Sequence, residues 1–256
     1  MSTKFLIPSS DPVLLEKANK IAEEFIQKYI NENVIGIVFL GAIVRGYFDH
    51  LADIDIAVFK KQNSDVPLTK KFYKIEDLEV QIWLSDYESE LTIPWDMAKR
   101  WTYSQCRIYF DSQDKISHLL KEKVPLKSEE KKLLMMSGLT LSEWYINRLT
   151  QLWVERGNII SAHHMVDQGI IFFFDMLFGL NDELVPDMKW RYYCVEQLEH
   201  LPGNFQERIK ETMKLYAFTI EELERRKRVF MEMWREMQPI IEEKVHLTFE
   251  EIEQIL

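Results

Sequence analysis

The chain has 256 residues, a formal net charge of −10 at pH 7 and 46% hydrophobic residues. This length and apolar content predict one or two globular domains with packed cores. The acidic balance argues against DNA or RNA as a partner, because neutralising backbone phosphates requires a basic surface. Small or cationic ligands fit an acidic surface better, although an excess of acids is also an ordinary way to keep a protein soluble.

Cysteine content and hydropathy indicate a cytoplasmic protein. The two cysteines, Cys106 and Cys194, have a spacing that predicts neither a disulfide framework nor a structural zinc site. The start of the chain, from Met1 to Asp11, lacks the basic segment and apolar core of a secretion signal. The most apolar run, 169–178, is far shorter than the ~20 residues that a membrane span requires. We therefore predict a buried helix there and no membrane partner.

Helical and strand patterns alternate in the first half of the chain. Apolar residues at helical spacing and apolar runs between turn residues identify the elements. The predicted elements are a helix over 11–33, strands over 37–40, 54–59, 72–75 and 78–84, a helix over 96–104 and a strand over 107–110.

After Pro125 the sequence shows no convincing strand pattern. Helices are predicted over 128–155, 161–178, 188–201, 204–216 and 219–243. Pro186 and Pro202-Gly203 lie between these helices, and Pro239 lies near the end of the last one. The expected fold class is therefore α+β, with a sheet-containing domain over 1–124 and a helical bundle over 125–256.

Two aspartates mark the start of the second predicted strand. Residues i and i+2 of a strand share a face, so Asp53 and Asp55 point to one side while Ile54, Ile56 and Val58 fill the other. Two like charges at ~4 Å repel by roughly 4 kcal/mol at a protein surface, so such a pair usually binds a cation. Their hard oxygens favour Mg²⁺ or Mn²⁺. An acidic strand end that is merely solvated is the alternative interpretation.

The preceding turn strengthens the metal hypothesis. The apolar run 37–40 is typical of a buried strand, and Gly41 follows it directly. Glycine permits a tight turn and a close backbone approach, and a helix that opens after it can direct free N–H groups at an anion. The sequence therefore places a phosphate cradle beside a pair of metal-binding acids.

This arrangement resembles the DNA polymerase β-type nucleotidyltransferase superfamily. Gly41-Ala42, an interval of ten residues and then Asp53-Ile54-Asp55-Ile56 match the family pattern, over roughly residues 35–85. Arg45-Gly46 is similar to its small bacterial and archaeal branch, which includes the antibiotic-modifying nucleotidyltransferases. The resemblance implies a mixed sheet in the first domain.

The same resemblance implies a reaction. It is the Mg²⁺- or Mn²⁺-dependent transfer of a nucleoside monophosphate, AMP from ATP being the expected case, to a hydroxyl of a small-molecule or protein acceptor, with release of pyrophosphate. Asp53 and Asp55 would hold the metal, backbone groups of Gly41 and Ala42 would cradle the phosphates, and Arg45 would support the turn or the phosphate charge. The helical domain would close over the acceptor and determine its identity.

Members of this family carry a third carboxylate on a neighbouring strand. The segment 78–84 alternates, which puts Leu78, Val80, Ile82 and Leu84 on one face and Glu79, Gln81 and Trp83 on the other. Glu79 is the predicted general base or additional metal ligand, with Asp77 as the fallback. The alternative is an edge strand whose polar face simply meets water.

Two departures from the family pattern suggest a second function. Family members commonly have serine where this chain has Ala42, and many also have serine in place of Ala52. Losing a hydroxyl contact to a phosphate costs ~1.5 to 3 kcal/mol of binding. The competing hypothesis is thus a catalytically weak nucleotide-binding protein with a regulatory or antitoxin-like role.

The second half of the chain resembles helical domains fused to nucleotidyltransferase domains of this branch. The similar positions are 178–181, Pro186 and Lys189-Trp190. If the resemblance holds, Lys189 would contact the triphosphate as a point charge. An exposed lysine at a helix start is the alternative.

A histidine-rich segment admits further hypotheses. His163 and Asp167 share a helix face at i and i+4, beside His164, which would allow a zinc ligand set or ordinary hydrogen bonding. Arg156 followed by His163 faintly resembles helical nuclease domains, although Gly157 stands where those have a polar residue.

Overall fold

The computed structural model describes residues 10–68 and 70–256. The described chain divides into two compact units, one ending at Pro125 and the other beginning at Leu126. Each unit has its own secondary-structure composition, and each is described by itself below.

Within the described residues, the first unit contains one five-stranded sheet. Its strands are β1 (Val34–Leu40), β2 (Ile54–Lys60), β3 (Phe72–Ile75), β4 (Leu78–Asp86) and β5 (Arg107–Asp111). Their order across the sheet is β3-β4-β2-β1-β5, and β2 and β4 run parallel while the other neighbours are antiparallel. The predicted α+β class with a mixed sheet is therefore confirmed.

Helices of the first unit lie between and after these strands. They are α1 (Pro12–Gln27), α2 (Ala42–Arg45), α3 (Tyr87–Thr92), α4 (Met97–Ser104) and α5 (Lys115–Lys123). Asp11 begins α1, because its carboxylate accepts the backbone N–H groups of Val13 and Leu14. The prediction extended this helix to residue 33, and it did not include α3 or α5.

The two faces of the sheet bury different cores. On one face Ile54, Ile56 and Val58 of β2 pack with apolar residues of α1. On the other face Ala57 and Phe59 pack with residues of α4 and α5. Asp53 and Asp55 share this second face by strand alternation, so they lie where its apolar core gives way to solvent.

The second unit, all of whose residues are described, consists of helices and turns. Its helices are α6 (Ser128–Glu143), a π-helical segment (Trp144–Leu149), α7 (Thr150–Glu155), α8 (Ile159–Leu180), α9 (Met188–Val195), α10 (Phe205–Met213), α11 (Ile220–Val245) and α12 (Phe249–Ile255). The predicted helix over 128–155 corresponds to α6, the π-helical segment and α7. Among the described residues no helix is both long and apolar enough to cross a membrane.

Helix ends in this unit differ in detail from the prediction. α11 contains Pro239, as does the predicted helix over 219–243, and it continues to Val245. Burial explains this, because Met237 and Ile241 on either side of the proline are core residues. The structure also ends α9 at Val195, well before the predicted residue 201, and adds α12, which was not predicted.

Candidate active site

A glycine turn joins β1 to the short helix α2. Gly41 has φ 62° and ψ −141°, a conformation that residues with a Cβ rarely adopt. A Cβ atom on Gly41 would also lie well inside 3.0 Å of Asp55 Oδ2, which is closer than real Cβ atoms come to other atoms. The glycine thus lets the backbone turn against the Asp55 carboxylate, which agrees with the close approach predicted from the sequence.

The short helix α2 is anchored into the core. The backbone N–H groups of Val44 and Arg45 both bond to the Gly41 carbonyl. The Arg45 side chain is only 2% exposed, donates to the Trp101 carbonyl over 2.8 Å and stacks 3.7 Å from the Trp101 ring centroid. Of the two roles predicted for Arg45, this position fits support of the turn. Contact with a phosphate stays a prediction.

Ala42, the second residue of the predicted phosphate cradle, is buried. Its side chain is 4% exposed and belongs to the core between α1 and the sheet. The methyl group therefore contributes to packing at the position where the nucleotidyltransferases that the sequence resembles commonly carry serine. A role for its backbone in phosphate binding stays a prediction.

The two aspartates lie at the start of β2. Asp53 directly precedes the strand and Asp55 is its second residue, and both are partly exposed. Across the sheet, Asp55 is paired with Leu40 of β1 on one side and with Gln81 of β4 on the other. Paired residues of neighbouring strands share a face, so Asp55 lies between the glycine turn and the polar side of β4.

An indole donor from β4 reaches this pair. Trp83 Nε1 donates to Asp55 Oδ1 over 3.2 Å. The sequence placed Trp83 on the same face as Glu79 but did not assign it a contact. The available signal was an aromatic residue on the polar face of an alternating strand, which is unusual because that face otherwise meets water.

The donor set of the aspartate pair suits Mg²⁺. Within the described residues, no group of three or more His, Cys, Asp and Glu side chains is placed to hold a metal ion. Mg²⁺ commonly takes one or two protein carboxylates and completes its octahedron with waters and substrate phosphates. Asp53 and Asp55, beside a glycine turn that passes close to one of them, fit that mode of binding.

Glu79 lies on β4 as predicted. Leu78, Val80 and Ile82 are buried and Glu79 is exposed, so the expected alternation is present over this stretch. Val80 is paired with Ile54, which puts Glu79 beside the Asp53 end of β2. The roles of Glu79 as general base and metal ligand stay predictions.

Asp77, the second candidate for the third carboxylate, and Leu84, the last residue predicted on the apolar face, both differ from expectation. Asp77 lies in the turn between β3 and β4 rather than in the strand. Leu84 is 40% exposed although it was predicted on the apolar face and is paired with the buried Val58. Asp77 is therefore a weaker candidate than Glu79.

Buried polar groups lie behind the aspartates, on the side of α4. Burial raises the pKa of Tyr103, and the nearby Glu90, Cys106 and Asp55 groups contribute in the same direction. The Tyr103 hydroxyl therefore stays neutral at physiological pH. Glu90 is itself buried and accepts the Trp95 indole N–H and the Lys99 ammonium, each over 2.6 Å. The sequence did not single out these residues, because their partners are set by packing.

Lys189 belongs to the second unit, at the start of α9. It is the second residue of that helix and is exposed, and its backbone N–H bonds to Asp187 Oδ1 over 3.2 Å. This location agrees with the alternative of an exposed lysine at a helix start. Its contact with a triphosphate stays a prediction.

The histidine-rich segment forms a buried hydrogen-bonded cluster. His163 is 1% exposed, with Nε2 3.1 Å from the Thr219 carbonyl and Nδ1 3.1 Å from Arg226 Nη1. Arg226 also pairs with Asp167. Burial lowers the pKa of His163, and the Arg226 charge acts in the same direction, so the ring is neutral at pH 7.

These contacts decide between the hypotheses for this segment. Since both ring nitrogens of His163 face protein partners, the side chain is not placed to bind zinc or to act as a nuclease base. His164 is exposed, one position along the same helix, and does not join the cluster. Ordinary structural hydrogen bonding is the interpretation that fits, and the partners in α11 could not be identified from local spacing.

Comparisons with known proteins agree with the geometry at the level of the fold. No protein-family model matches the chain, and no curated protein matches its sequence. Among solved structures, a nucleotidyltransferase-like protein from Exiguobacterium sibiricum is similar over 90% of this chain and 77% of its own, with a TM-score of 0.50 and 13% sequence identity. The chain therefore has a nucleotidyltransferase-like fold.

Proposed function

We propose that this protein is a Mg²⁺-dependent nucleotidyltransferase. It would transfer a nucleoside monophosphate, AMP from ATP being the first case to test, to a hydroxyl group of a small-molecule or protein acceptor and release pyrophosphate. The carrying observation is the close approach of the Gly41 turn to Asp55 at the start of β2. This close approach places a backbone turn that can bind phosphates beside a pair of carboxylates that can bind the cation of those phosphates.

The chemical step requires alignment and charge neutralisation. The acceptor oxygen forms a bond to the α-phosphorus, and the bond from that phosphorus to the oxygen bridging to the β-phosphate breaks, so that pyrophosphate leaves with that electron pair. Glu79 would receive the acceptor hydroxyl proton. Asp53 and Asp55 would hold Mg²⁺, which when bound neutralises the phosphate charge that develops as the bond breaks.

The fixed position of the aspartates supports this assignment. Asp55 belongs to a central strand that is hydrogen-bonded on both sides, by β1 and by β4, and Asp53 directly precedes that strand. Catalytic groups on rigid strands hold their geometry better than groups on loops, and catalysis by alignment depends on that precision. The exposed face of β4 beside them leaves Glu79 accessible to an acceptor.

One observation favours the second candidate, a nucleotide-binding protein with little turnover. Ala42 is packed in the core, so the hydroxyl that helps to hold the triphosphate in family members has no counterpart there. Such a protein would bind a nucleoside triphosphate with Mg²⁺ and regulate a partner. Its binding curve would resemble that of the enzyme, whereas pyrophosphate release would be absent.

Two measurements separate these candidates. Calorimetric titration with each of the four nucleoside triphosphates and Mg²⁺ would measure binding, and pyrophosphate release across a panel of hydroxyl acceptors would measure transfer. We expect release that depends on Mg²⁺ and on Asp55. Asp77→Asn is the matched control, because it removes a carboxylate from the exposed turn of the same sheet. Nucleotide binding without release from any acceptor would favour the regulatory protein.

A further inference from the structure

Trp83 occupies an unusual position for a tryptophan. It lies on β4, between β3 and β2, and its side chain is 45% exposed on the face that carries Asp55. Leaving a large apolar ring in water forgoes the burial that normally stabilises it. The ring nevertheless has a defined place, because its N–H donates to Asp55 Oδ1 over 3.2 Å.

The two oxygens of Asp55 are oriented by different parts of the fold. Oδ1 accepts the indole N–H, and Oδ2 lies close to the Gly41 backbone. Lys71 places its ammonium 4.7 Å from the Trp83 ring centroid, which favours one orientation of the indole. The plane of the carboxylate is thereby set relative to the glycine turn.

We infer that Trp83 is a positioning residue for Asp55, which directs the Oδ2 oxygen of that carboxylate toward the cation at the glycine turn. This inference rests on the proposed function, since it requires that the aspartate pair bind a divalent cation. Hydrogen-bond donors behind metal-ligating carboxylates orient them, and removing such a donor typically weakens metal binding by about 10- to 100-fold.

The chemistry of the side chain explains the residue type. Phenylalanine at position 83 would satisfy the strand without a donor, and tyrosine would carry its donor at the tip of the ring. Indole instead places a donor at the edge of a rigid ring with two rotatable bonds. The donor comes from an interior strand of the sheet, so its position is fixed by backbone pairing with Ala57. Trp83 thus acts through Asp55 and need not touch the substrate.

The test is the binding of Mn²⁺ alone, measured from the electron paramagnetic resonance signal of the free ion. Trp83→Phe keeps a ring and removes the donor, and we expect Mn²⁺ affinity to fall by about 10-fold or more. Trp144→Phe is the matched control, because Trp144 is similarly exposed, at 41%, and belongs to the second unit, whereas both aspartates belong to the first. It should bind Mn²⁺ as the wild type does. Wild-type affinity in Trp83→Phe would overturn the inference.

A second measurement leaves position 83 unchanged. The chain has seven tryptophans, and Mg²⁺ should shift one indole N–H resonance of the ¹⁵N-labelled protein far more than the others. Asp55→Asn should remove that shift. The absence of any indole shift at saturating Mg²⁺ would overturn the role of Trp83, while wild-type Mn²⁺ affinity in Asp55→Asn would instead refute the metal site and with it the proposed function.

Discussion

Two polar clusters in this protein differ in the balance of their charges. At the start of β2, Asp53 and Asp55 bring two like charges to one face of a strand. In the second unit, Arg226 lies among an acid, a neutral imidazole and backbone carbonyls, with Asp167 and His163 as its side-chain partners. In the second cluster the positive charge of Arg226 is balanced by Asp167. In the first cluster the two carboxylates repel each other, and a bound cation would relieve that repulsion.

This difference in charge balance indicates which of the two clusters is expected to bind a ligand. Both contain residue types that bind metals, and sequence spacing alone suggested a metal for each. Solvent access and the sign of the charges separate them, because His163 has no exposed nitrogen while the aspartates are partly exposed. We therefore propose a functional role for the first cluster and a structural role for the second, and the following changes test that division.

The largest effect is expected at the aspartate pair. Asp53→Asn and Asp55→Asn should each abolish transfer and leave the fold intact, because each removes a metal ligand without changing core volume. Their melting temperatures without Mg²⁺ should rise slightly, since one of two repelling charges is lost. Thermal melts with and without Mg²⁺ provide the check. Wild-type turnover in Asp55→Asn would refute the metal assignment.

Glu79→Gln should produce the next largest loss. If Glu79 is the general base, this change should slow the chemical step by ~10² to 10⁴ and leave nucleotide and metal binding nearly unchanged. Asp77→Asn should do little, because Asp77 lies in a turn. Single-turnover rates as a function of pH measure the effect, and the acidic limb of the profile should disappear with the base. A normal Glu79→Gln enzyme would show that another group accepts the proton.

In the second cluster the expected loss is of stability. Arg226→Met should lower the free energy of unfolding by about 3 kcal/mol, since the buried Thr212 carbonyl and His163 ring lose their donor and the exposed Asp167 loses its ion-pair partner. Arg228→Met, at an exposed position of the same helix, is the control. Urea titrations measure both variants. Transfer activity per folded molecule should stay normal in Arg226→Met, and its loss without a loss of stability would make this cluster functional.

Not every acid of the second unit is fully stabilised by a basic partner, and Asp175 is an example. Burial raises the pKa of Asp175 to about 6, although Arg191 acts in the opposite direction from 2.9 Å. The folded state therefore binds the proton more tightly than the unfolded state, and this group adds stability as the pH falls through 6. Between pH 7.5 and pH 5 the gain is about 1 kcal/mol.

The gain should vanish in Asp175→Asn. Urea titrations at the two pH values measure it as the difference between the wild type and the variant, which removes contributions from other groups. The same pH dependence in both proteins would mean that Asp175 does not titrate in this range.

The smallest effect is expected at the glycine turn. Ala42→Ser should lower the Michaelis constant for the nucleotide by a factor that corresponds to ~1 kcal/mol, if the hydroxyl reaches a phosphate oxygen. The turnover number should change less. Initial rates at varied nucleotide concentration measure both constants. Because Ala42 is packed in the core, a weaker nucleotide affinity would show that the turn has no room for the hydroxyl.

The sequence by itself determined the local features of this protein. Alternation along 78–84 predicted β4, and the spacing of Asp53 and Asp55 predicted that they share one strand face. The glycine turn was also predicted, because a strand that ends in glycine and leads into a helix needs its conformational freedom. These features depend on neighbours within a few residues, so the local sequence is sufficient to predict them.

Only the tertiary structure decided which distant groups meet. The bond from Trp83 to Asp55 joins residues 28 positions apart, and that from Arg226 to His163 joins residues 63 positions apart. Strand register sets the first contact and helix packing sets the second. Burial of Arg45 under the turn likewise depended on the core around it. Periodicity specifies which face a side chain occupies, but its partner on that face is selected by packing.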